Sequence, residues 1–461
     1  MEGHETELRQ CQMPAEISAR FGETAPRYTS YPTAPHFHPG IGPETVARWM
    51  ESISADDAIS LYLHIPFCDR LCWFCACHTK HTLRYEPVRE YLRFLDAEIA
   101  TVSRLLAGRG RIRTVHFGGG SPTMLLPEDL VRLDRTLRNA FRYDKAAEAS
   151  VEIDPNDIDE GRLDALAAIG LTRASLGIQD FDPRVQKAIN REQSFECTRA
   201  VVEGLRRRGV GSINLDMLYG LPFQTRDSIR ATAEQVLTLR PDRIALFGYA
   251  HVPWFKKHQQ MIDEAALPDS KERYVQSRIV SELLQERGFE AIGIDHFARP
   301  DDRLAIASRE GRLHRNFQGY TDDACETMIG LGPSSVGRFR QGYAQNATAM
   351  GQYERMVSEG GLATVRGIQL RDEDRARAWI IERLMCDFAF SCAEALDRFG
   401  EAAAAAIVEA GYRAAADPDR LLERQGDLFV VSEAGRPLVR LVAAQFDQYL
   451  ASGNARHSVA V

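Results

Sequence analysis

The chain has 461 residues, 44% of them hydrophobic and 26% charged, a balance that fits a soluble protein with a sizeable core and excludes disordered and fibrous classes. Its formal charge of −8 gives no electrostatic footprint for nucleic acid, and the densest basic stretch, Arg206 to Arg208, is short enough to be a solvated helix end. No run of about 18 apolar residues could span a membrane, and MEGHETELRQ is too polar for the apolar centre of a signal peptide, so a cytoplasmic location is expected.

Residues 1–50 read as an N-terminal arm containing RYTSYPTAPHF, with too little periodicity to be a domain. Tyr28 and Tyr31 there could cover a ligand or pin the arm to the rest of the chain. From residue 59, short apolar strands alternate with amphipathic helical stretches, the sign of βαβ units around a parallel sheet. The predicted strands are SLYLHI (60–65), TVHFGG (114–119), SVEID (150–154), ASLGIQD (174–180), INLDMLY (213–219) and IALFGYA (244–250), with a further one at EAIGID (290–295). Helical periodicity lies between them, as at Tyr91, Phe94, Leu95 and Ile99, or at Leu163, Leu166 and Ala167 before Gly170. Six units predict an α/β fold, an incomplete (β/α)6-type parallel barrel over residues 51–369. In such folds the chemistry gathers where loops leave the C-terminal strand ends.

After about residue 370 the pattern turns mainly α-helical, with EAAAAAIVEAGYRAAA, then LLERQGDLFVVSEAG as a small β-hairpin. A C-terminal domain over 370–461 is expected. No repeat of 20 to 50 residues is present.

Nine cysteines, an odd number, argue against a disulfide framework. Four of them crowd HIPFCDRLCWFCACHTK (64–80), directly after the first strand. Cys68, Cys72 and Cys75 are spaced C-x3-C-x2-C, so one loop can wrap three thiolates around a single metal centre. Structural zinc is one reading, although it usually ties two distant chain segments together. A [4Fe-4S] cluster is another: four cysteines including Cys77 would make a closed electron carrier, whereas three leave one iron open. An open iron can chelate the amino and carboxylate groups of S-adenosylmethionine, and one electron would then release a 5′-deoxyadenosyl radical.

A glycine run, HFGGGSPTM (116–124), follows the second strand, where bare backbone can approach a ligand. Polar groups recur at the later strand ends: Glu152, Gln179, Arg191 and Asp216. Carboxylates and amides suit ribose hydroxyls, and an arginine suits a carboxylate. None of His64, His116, His251 and His314 has metal-ligand spacing with another, and the first two read as packed or hydrogen-bonded strand residues.

The cysteine loop after the first strand of an α/β barrel resembles the radical SAM superfamily. RYTSYPTA, YLHIPFCDRLCWFCAC, HFGGGSPT, VEIDP, LGIQDF, NLDMLYGLPFQT, HRNFQGYT and YAQN resemble, more closely, its oxygen-independent coproporphyrinogen III oxidases. The chain departs from that pattern at Trp73, Ala76 and Ser121.

The resemblance implies a [4Fe-4S] cluster on Cys68, Cys72 and Cys75, and two molecules of S-adenosyl-L-methionine. Tyr62, Gly119, Glu152 and Val336 would contact the first; Phe74, Gly120, Ser121, Gln179, Arg191, Asp216 and Ala250 the second. Tyr62 and Cys77 would serve catalysis, Cys77 without ligating iron. The implied reaction turns two propionates of coproporphyrinogen III into vinyl groups, giving protoporphyrinogen IX for haem biosynthesis, with an electron donor and an electron acceptor that the sequence does not identify. A tetra-anionic substrate needs cations, for which Arg27, Lys256, Lys257 and Arg315 are candidates. A monomer is expected. A haem-binding chaperone that keeps the cluster without turnover is the alternative from another class.

Overall fold

The computed structural model describes residues 19–450 and 458–459. Residues 1–18 of the predicted arm, with Cys11, and most of the last eleven residues lie outside them.

Six parallel strands form the centre of the molecule: β1 (Ala58–Ile65), β2 (Arg111–Gly119), β3 (Tyr143–Ile153), β4 (Leu171–Gln179), β5 (Ser212–Tyr219) and β6 (Arg243–Gly248). They lie side by side in chain order, each parallel to the next. Helices such as Glu86–Leu106, Pro127–Ala140 and Phe195–Arg207 connect them. All six predicted strands are present, three of them starting three or more residues earlier than the apolar runs suggested.

Alternation along these strands separates two faces. Ile59, Leu61, Leu63 and Ile65 of β1, Val115 and Phe117 of β2, and Val151 and Ile153 of β3 belong to one buried apolar cluster with the helices. The intervening residues face the other way and line cavities: Ser60, Tyr62, His64, His116, Ser150, Glu152, Ser175, Asn214 and Asp216. Register sets them in rows, with Tyr62 opposite His116, His116 opposite Ser150, and Glu152 opposite Ser175. The outer face is a core; the inner face is a polar chamber.

The sheet extends beyond these six. Thr327–Leu331 runs parallel to β1, and Val336–Phe339, Gly342–Asn346 and Thr364–Gln369 follow antiparallel on that side. On the other side His296–Ala298 pairs antiparallel with β6, and Glu290–Ile292 closes that edge. The outermost strands of this twelve-stranded sheet do not pair with each other, so the ring stays open, as an incomplete barrel requires. A separate hairpin, His314–Asn316 with Gly319–Thr321, carries the HRNFQGYT segment.

C-terminal to the sheet, helices Asp372–Asp387 and Cys392–Ala415 pack with a three-stranded sheet that contains the predicted hairpin, Leu422–Gln425 against Leu428–Val431. Their apolar cluster also takes in Phe21, Ala25, Tyr28 and Tyr31. Tyr28 Oη donates to Asp447 Oδ2 at 3.1 Å, and Tyr31 Oη accepts from the Gln448 amide at 3.2 Å. These tyrosines fasten the arm to the C-terminal region. Residues Pro43–Glu51 form a helix whose Val46, Trp49 and Met50 join the barrel core. Among the described residues no helix is long and apolar enough to cross a membrane.

Candidate active site

The cysteine loop leaves the C-terminal end of β1 and is held by two neighbouring loops. After β4, Ile189 O accepts from the Trp73 amide at 2.9 Å and Asn190 Nδ2 donates to Leu71 O at 2.8 Å. After β6, Lys256 Nζ donates to Cys77 O at 2.7 Å, His258 Nε2 to Cys75 O at 2.7 Å, and Gln259 Nε2 to Phe74 O at 2.9 Å. Lys256 is therefore engaged on the cysteine loop, while Lys257 is exposed. Every cysteine among the described residues is a free thiol.

The donors suit a multi-iron cluster better than a single metal ion. Among the described residues, one trio of potential ligand atoms lies within 4.8 Å of one another, Asp69, Asp154 and Asp157, so no three of the loop's thiols are gathered that closely. A tetrahedral zinc with Zn–S near 2.3 Å needs its sulfurs only about 3.8 Å apart. Donors already point at the sulfurs: the Cys77 amide at Cys75 Sγ (3.3 Å) and Arg191 Nη1 at Cys72 Sγ (3.6 Å). Such contacts stabilise and tune cluster thiolates. The Cys77 thiol and amide hold the Cys75 thiol down to about 7 despite burial, whereas burial pushes Cys68 and Cys72 up.

Beside the loop, a cavity of about 240 Å³ is lined by Tyr62, His64, Cys77, Gly119, Glu152 and Val336, among others. The four residues expected at the first S-adenosylmethionine thus share one chamber with Cys77. Its geometry is built by hydrogen bonds. His64 Nε2 donates to His78 O at 2.9 Å, which leaves Nδ1 to accept from Tyr62 Oη at 3.0 Å. Burial pushes the His64 imidazole down to about 4, so the ring is neutral at pH 7, in keeping with that tautomer. Glu152 accepts from the Gly119 amide at 3.0 Å and from His116 Nε2 at 3.2 Å. Burial alone would raise the Glu152 carboxyl, but His116 and the amide outweigh it and hold it below its usual range. Glu152 is surrounded by protein yet keeps 40% of its side chain open along the chamber.

Gly119 has φ +112°, and a Cβ there would fall 2.6 Å from the His64 ring. At Gly120 a Cβ would sit 2.5 Å from Phe67 O. Amides of Gly120 and Ser121 donate to Ile65 O and Phe67 O at 2.8 and 2.7 Å, so the glycine loop lies flat against the cysteine loop, a closeness that only a bare backbone allows.

The residues expected at the second S-adenosylmethionine are less tightly gathered. Gln179 (φ +66°) and Arg191 converge over Gly177; Arg191 donates to Asp154 Oδ2 at 2.9 Å and Gly177 O at 2.8 Å, and its buried Nε has no partner. Asp216 accepts from Ser175 Oγ and Asn214 Nδ2 at 3.0 and 2.7 Å and borders an adjoining cavity of about 170 Å³ with Glu152. Phe74 packs beside Leu218 and Tyr249. The Ser121 hydroxyl is buried on Asp157 Oδ2 at 2.6 Å, and Ala250 borders a different cavity.

Sequence reasoning gave no role to several lining residues of the first chamber: Phe317, Gln318, Met328, Ser334 and Ser335. HRNFQGYT was legible as a motif, but not its return across the chamber; a signal was Gly319, which follows the Phe317–Gln318 turn at φ +115° and opens the return strand. His64 and His116 are hydrogen-bonded and buried, as expected. His251 lies between Tyr249 and Glu264, and His314 beside Glu382.

Comparison with known proteins agrees with this geometry. Residues 62–236 match the model of the radical SAM superfamily. The chain is 48% identical to the oxygen-independent coproporphyrinogen III oxidase of Paracoccus denitrificans, over 98% of this chain and 99% of that protein. It is 46% identical to that of Bradyrhizobium diazoefficiens, over 97% and 100%. Its structure superposes on the coproporphyrinogen III oxidase of Escherichia coli, a radical SAM enzyme, with a TM-score of 0.88 at 38% identity, covering 92% of this chain and 97% of that one. The chain belongs to the oxygen-independent coproporphyrinogen III oxidase family of radical SAM enzymes, whose cofactors are a [4Fe-4S] cluster and S-adenosylmethionine.

Proposed function

We propose that this protein converts coproporphyrinogen III to protoporphyrinogen IX without oxygen, each of two propionates losing a hydrogen atom, carbon dioxide and an electron to become a vinyl group. The observation that carries the reading is the single chamber where Tyr62, Glu152, Gly119, Val336 and Cys77 meet beside the three-cysteine loop. Bound there, a [4Fe-4S] cluster and S-adenosylmethionine supply a 5′-deoxyadenosyl radical, an oxidant strong enough for an unactivated C–H bond.

The chain's own groups hold, orient and exclude. Cys68, Cys72 and Cys75 would take the cluster, and Cys77 remains a thiol facing the chamber. Ionised Glu152 and the Tyr62–His64 pair would orient the first S-adenosylmethionine over Gly119, with Val336 as an apolar wall. Phe74, Gly120, Ser121, Gln179, Arg191, Asp216 and Ala250 would form the second cofactor's site, to which the unpartnered Arg191 Nε offers a donor for a carboxylate. Phe317 and Gln318 close the chamber from the hairpin side. The reaction needs a one-electron donor and a terminal acceptor from elsewhere, and the protein would work as a cytoplasmic monomer.

The test is anaerobic turnover of the reconstituted protein with S-adenosylmethionine, a reductant and coproporphyrinogen III, followed by mass. Loss of two carboxyl groups is expected; bound haem with unchanged substrate would favour a haem chaperone instead.

A further inference from the structure

Large apolar side chains left open to water are concentrated around the cysteine loop. Among the described residues seven are exposed, and the four most exposed are Leu83 (81%), Phe255 (70%), Met261 (60%) and Trp254 (51%). All four belong to two segments that pack on that loop. At its start, Lys80–His81 pairs with Phe67–Cys68, and the Thr82 amide donates to Cys68 O at 3.0 Å. The Arg84 amide then donates to Thr82 Oγ1 at 3.2 Å, a turn from which Leu83 stands out.

At the other end of the cysteine loop, the segment after β6 is anchored by the buried Gln259, whose Nε2 donates to Phe74 O and Ala250 O at 2.9 and 3.2 Å. Lys256 links Phe255 to the cysteines: its Nζ lies 2.7 Å from Cys77 O and 5.2 Å from the centre of the Phe255 ring. Phe255 therefore stands directly beside the backbone that takes the cluster. None of Leu83, Trp254, Phe255 and Met261 lines the chamber or the cavities beside it, so their exposure is to bulk solvent and not to the substrate's space.

Charge on the two segments runs against that of the whole chain. Residues 75–85 and 250–262 contain no Asp or Glu, in a chain with 65 of them and a formal charge of −8, yet they carry Lys80, Arg84, Lys256 and Lys257. Lys80, Arg84 and Lys257 are exposed and form no ion pair with a described residue. The acidic groups around them are Glu86 and Asp263, which flank the segments, Glu264, held by His251 at 2.9 Å, and Glu354, which feels the Lys80 charge. Exposed apolar side chains among unpaired cations mark a surface for a partner of opposite charge.

We propose that Leu83, Trp254, Phe255 and Met261, with Lys80, Arg84 and Lys257, form the docking surface for the one-electron donor, a small protein whose redox group lies near an exposed edge ringed by carboxylates. The assignment rests on Cys68, Cys72 and Cys75 holding the cluster. No bond forms or breaks in the step: one electron leaves the donor, which is oxidised, for the cluster, which is reduced, before S-adenosylmethionine is cleaved. Electron transfer weakens steeply with distance, so the donor must settle where the ligand loop meets solvent. Approach through the chamber is taken up by S-adenosylmethionine and the porphyrinogen. Cations steer an acidic carrier to the face, and a small apolar patch suits the weak, short-lived complex of an electron-transfer encounter.

Flavodoxin, an acidic one-electron carrier, is the probe, used with the reconstituted full chain and with Phe255→Ser, Leu83→Ser and Arg84→Glu. Leu428→Ser, an exposed apolar residue of the C-terminal region, is the control. Binding of oxidised flavodoxin, read by calorimetry without turnover, should weaken about tenfold in Phe255→Ser and Leu83→Ser. Arg84→Glu should weaken it most at low salt. Formation of 5′-deoxyadenosine driven by reduced flavodoxin should fall in step, while its formation with dithionite, the iron content and KM for coproporphyrinogen III stay at wild-type values. No saturable binding to the wild type, or unchanged binding in all three variants, overturns the assignment, as does an equal loss with dithionite. A raised KM for coproporphyrinogen III would make the face part of the substrate site and overturn it too. So would a dimer, or adhesion to anionic lipid vesicles, that Phe255→Ser abolishes while flavodoxin binding holds. Absence of 5′-deoxyadenosine from the wild type with dithionite would instead sink the proposed function, and binding of oxidised flavodoxin is read independently of that outcome.

Discussion

Glu152 Oε2 accepts the Gly119 amide at 3.0 Å while Oε1 takes His116 Nε2 at 3.2 Å, so one carboxylate ties the glycine loop of β2 to the floor of the chamber. Glu152→Gln keeps the size and one acceptor but removes the charge. KM for S-adenosylmethionine should rise about 10- to 100-fold, the scale of a lost hydrogen bond to a charged group, with iron content unchanged. Steady-state kinetics at varied S-adenosylmethionine checks this; a wild-type KM contradicts it.

The closeness of the glycine and cysteine loops gives a second expectation. Gly120→Ala places a methyl group 2.5 Å from Phe67 O and 2.9 Å from Phe67 N, both backbone atoms that cannot swing aside. The substitution should cost about 1–3 kcal/mol of stability and lower cluster retention, measured by chemical denaturation and by iron per chain after gel filtration.

Beneath the chamber, Glu98 is 1% exposed and accepts from the Gly332 amide (2.7 Å), Asn346 Nδ2 (2.7 Å) and Tyr353 Oη (2.8 Å). It thereby fixes the turn leading to Ser334, Ser335 and Val336. Glu98→Ala strands three buried donors at about 1–3 kcal/mol each, so the apoprotein should lose several kcal/mol in urea unfolding. Glu98→Gln, which keeps a carbonyl acceptor, should lose less; equal losses would contradict the network.

Asp216 supplies a pH dependence. Burial pushes its carboxyl up to about 6 from 3.8, with the Ser175 and Asn214 bonds opposing. The folded chain thus holds this proton more tightly than the unfolded chain, so the contribution is favourable at low pH and is lost as pH rises from about 3.8 to about 6. In Asp216→Asn that loss is absent. The Tm difference, variant minus wild type, should grow between pH 4 and 6 and then level off; a flat difference would refute the assignment.

Much of the barrel was legible because the outer-face residues of β1–β6 form apolar runs, as in Leu61, Leu63 and Ile65, and because Gly118–Gly120 and the cysteine spacing sit directly after strands. What stayed hidden depends on contacts distant in sequence. Gly332 meets Glu98 across 234 residues and Tyr28 meets Asp447 across 419, and neither partner carries a local signal. The strands between Thr327 and Gln369 were missed since GLGPSSVGRF breaks the alternation with glycine and proline. Arg315 was noticed as a cation, but the cavity it shares with Arg27 arises only when the arm closes on the barrel.

The three-ligand assignment separates the loop's cysteines. Serine at Cys68, Cys72 or Cys75 should each abolish cluster iron, whereas Cys77→Ser should retain wild-type iron and lose turnover, read by iron analysis beside product formation. Iron loss in Cys77→Ser would make the cluster a closed, four-cysteine one.

The central claim is that the chamber beside the cysteine loop directs a radical to the substrate's propionate carbon, and one isotope measurement tests it most directly. Coproporphyrinogen III deuterated at the propionate β-carbons should yield 5′-deoxyadenosine carrying deuterium, in step with loss of two carboxyl groups from the tetrapyrrole. Protoporphyrinogen IX formed alongside unlabelled 5′-deoxyadenosine would contradict the account.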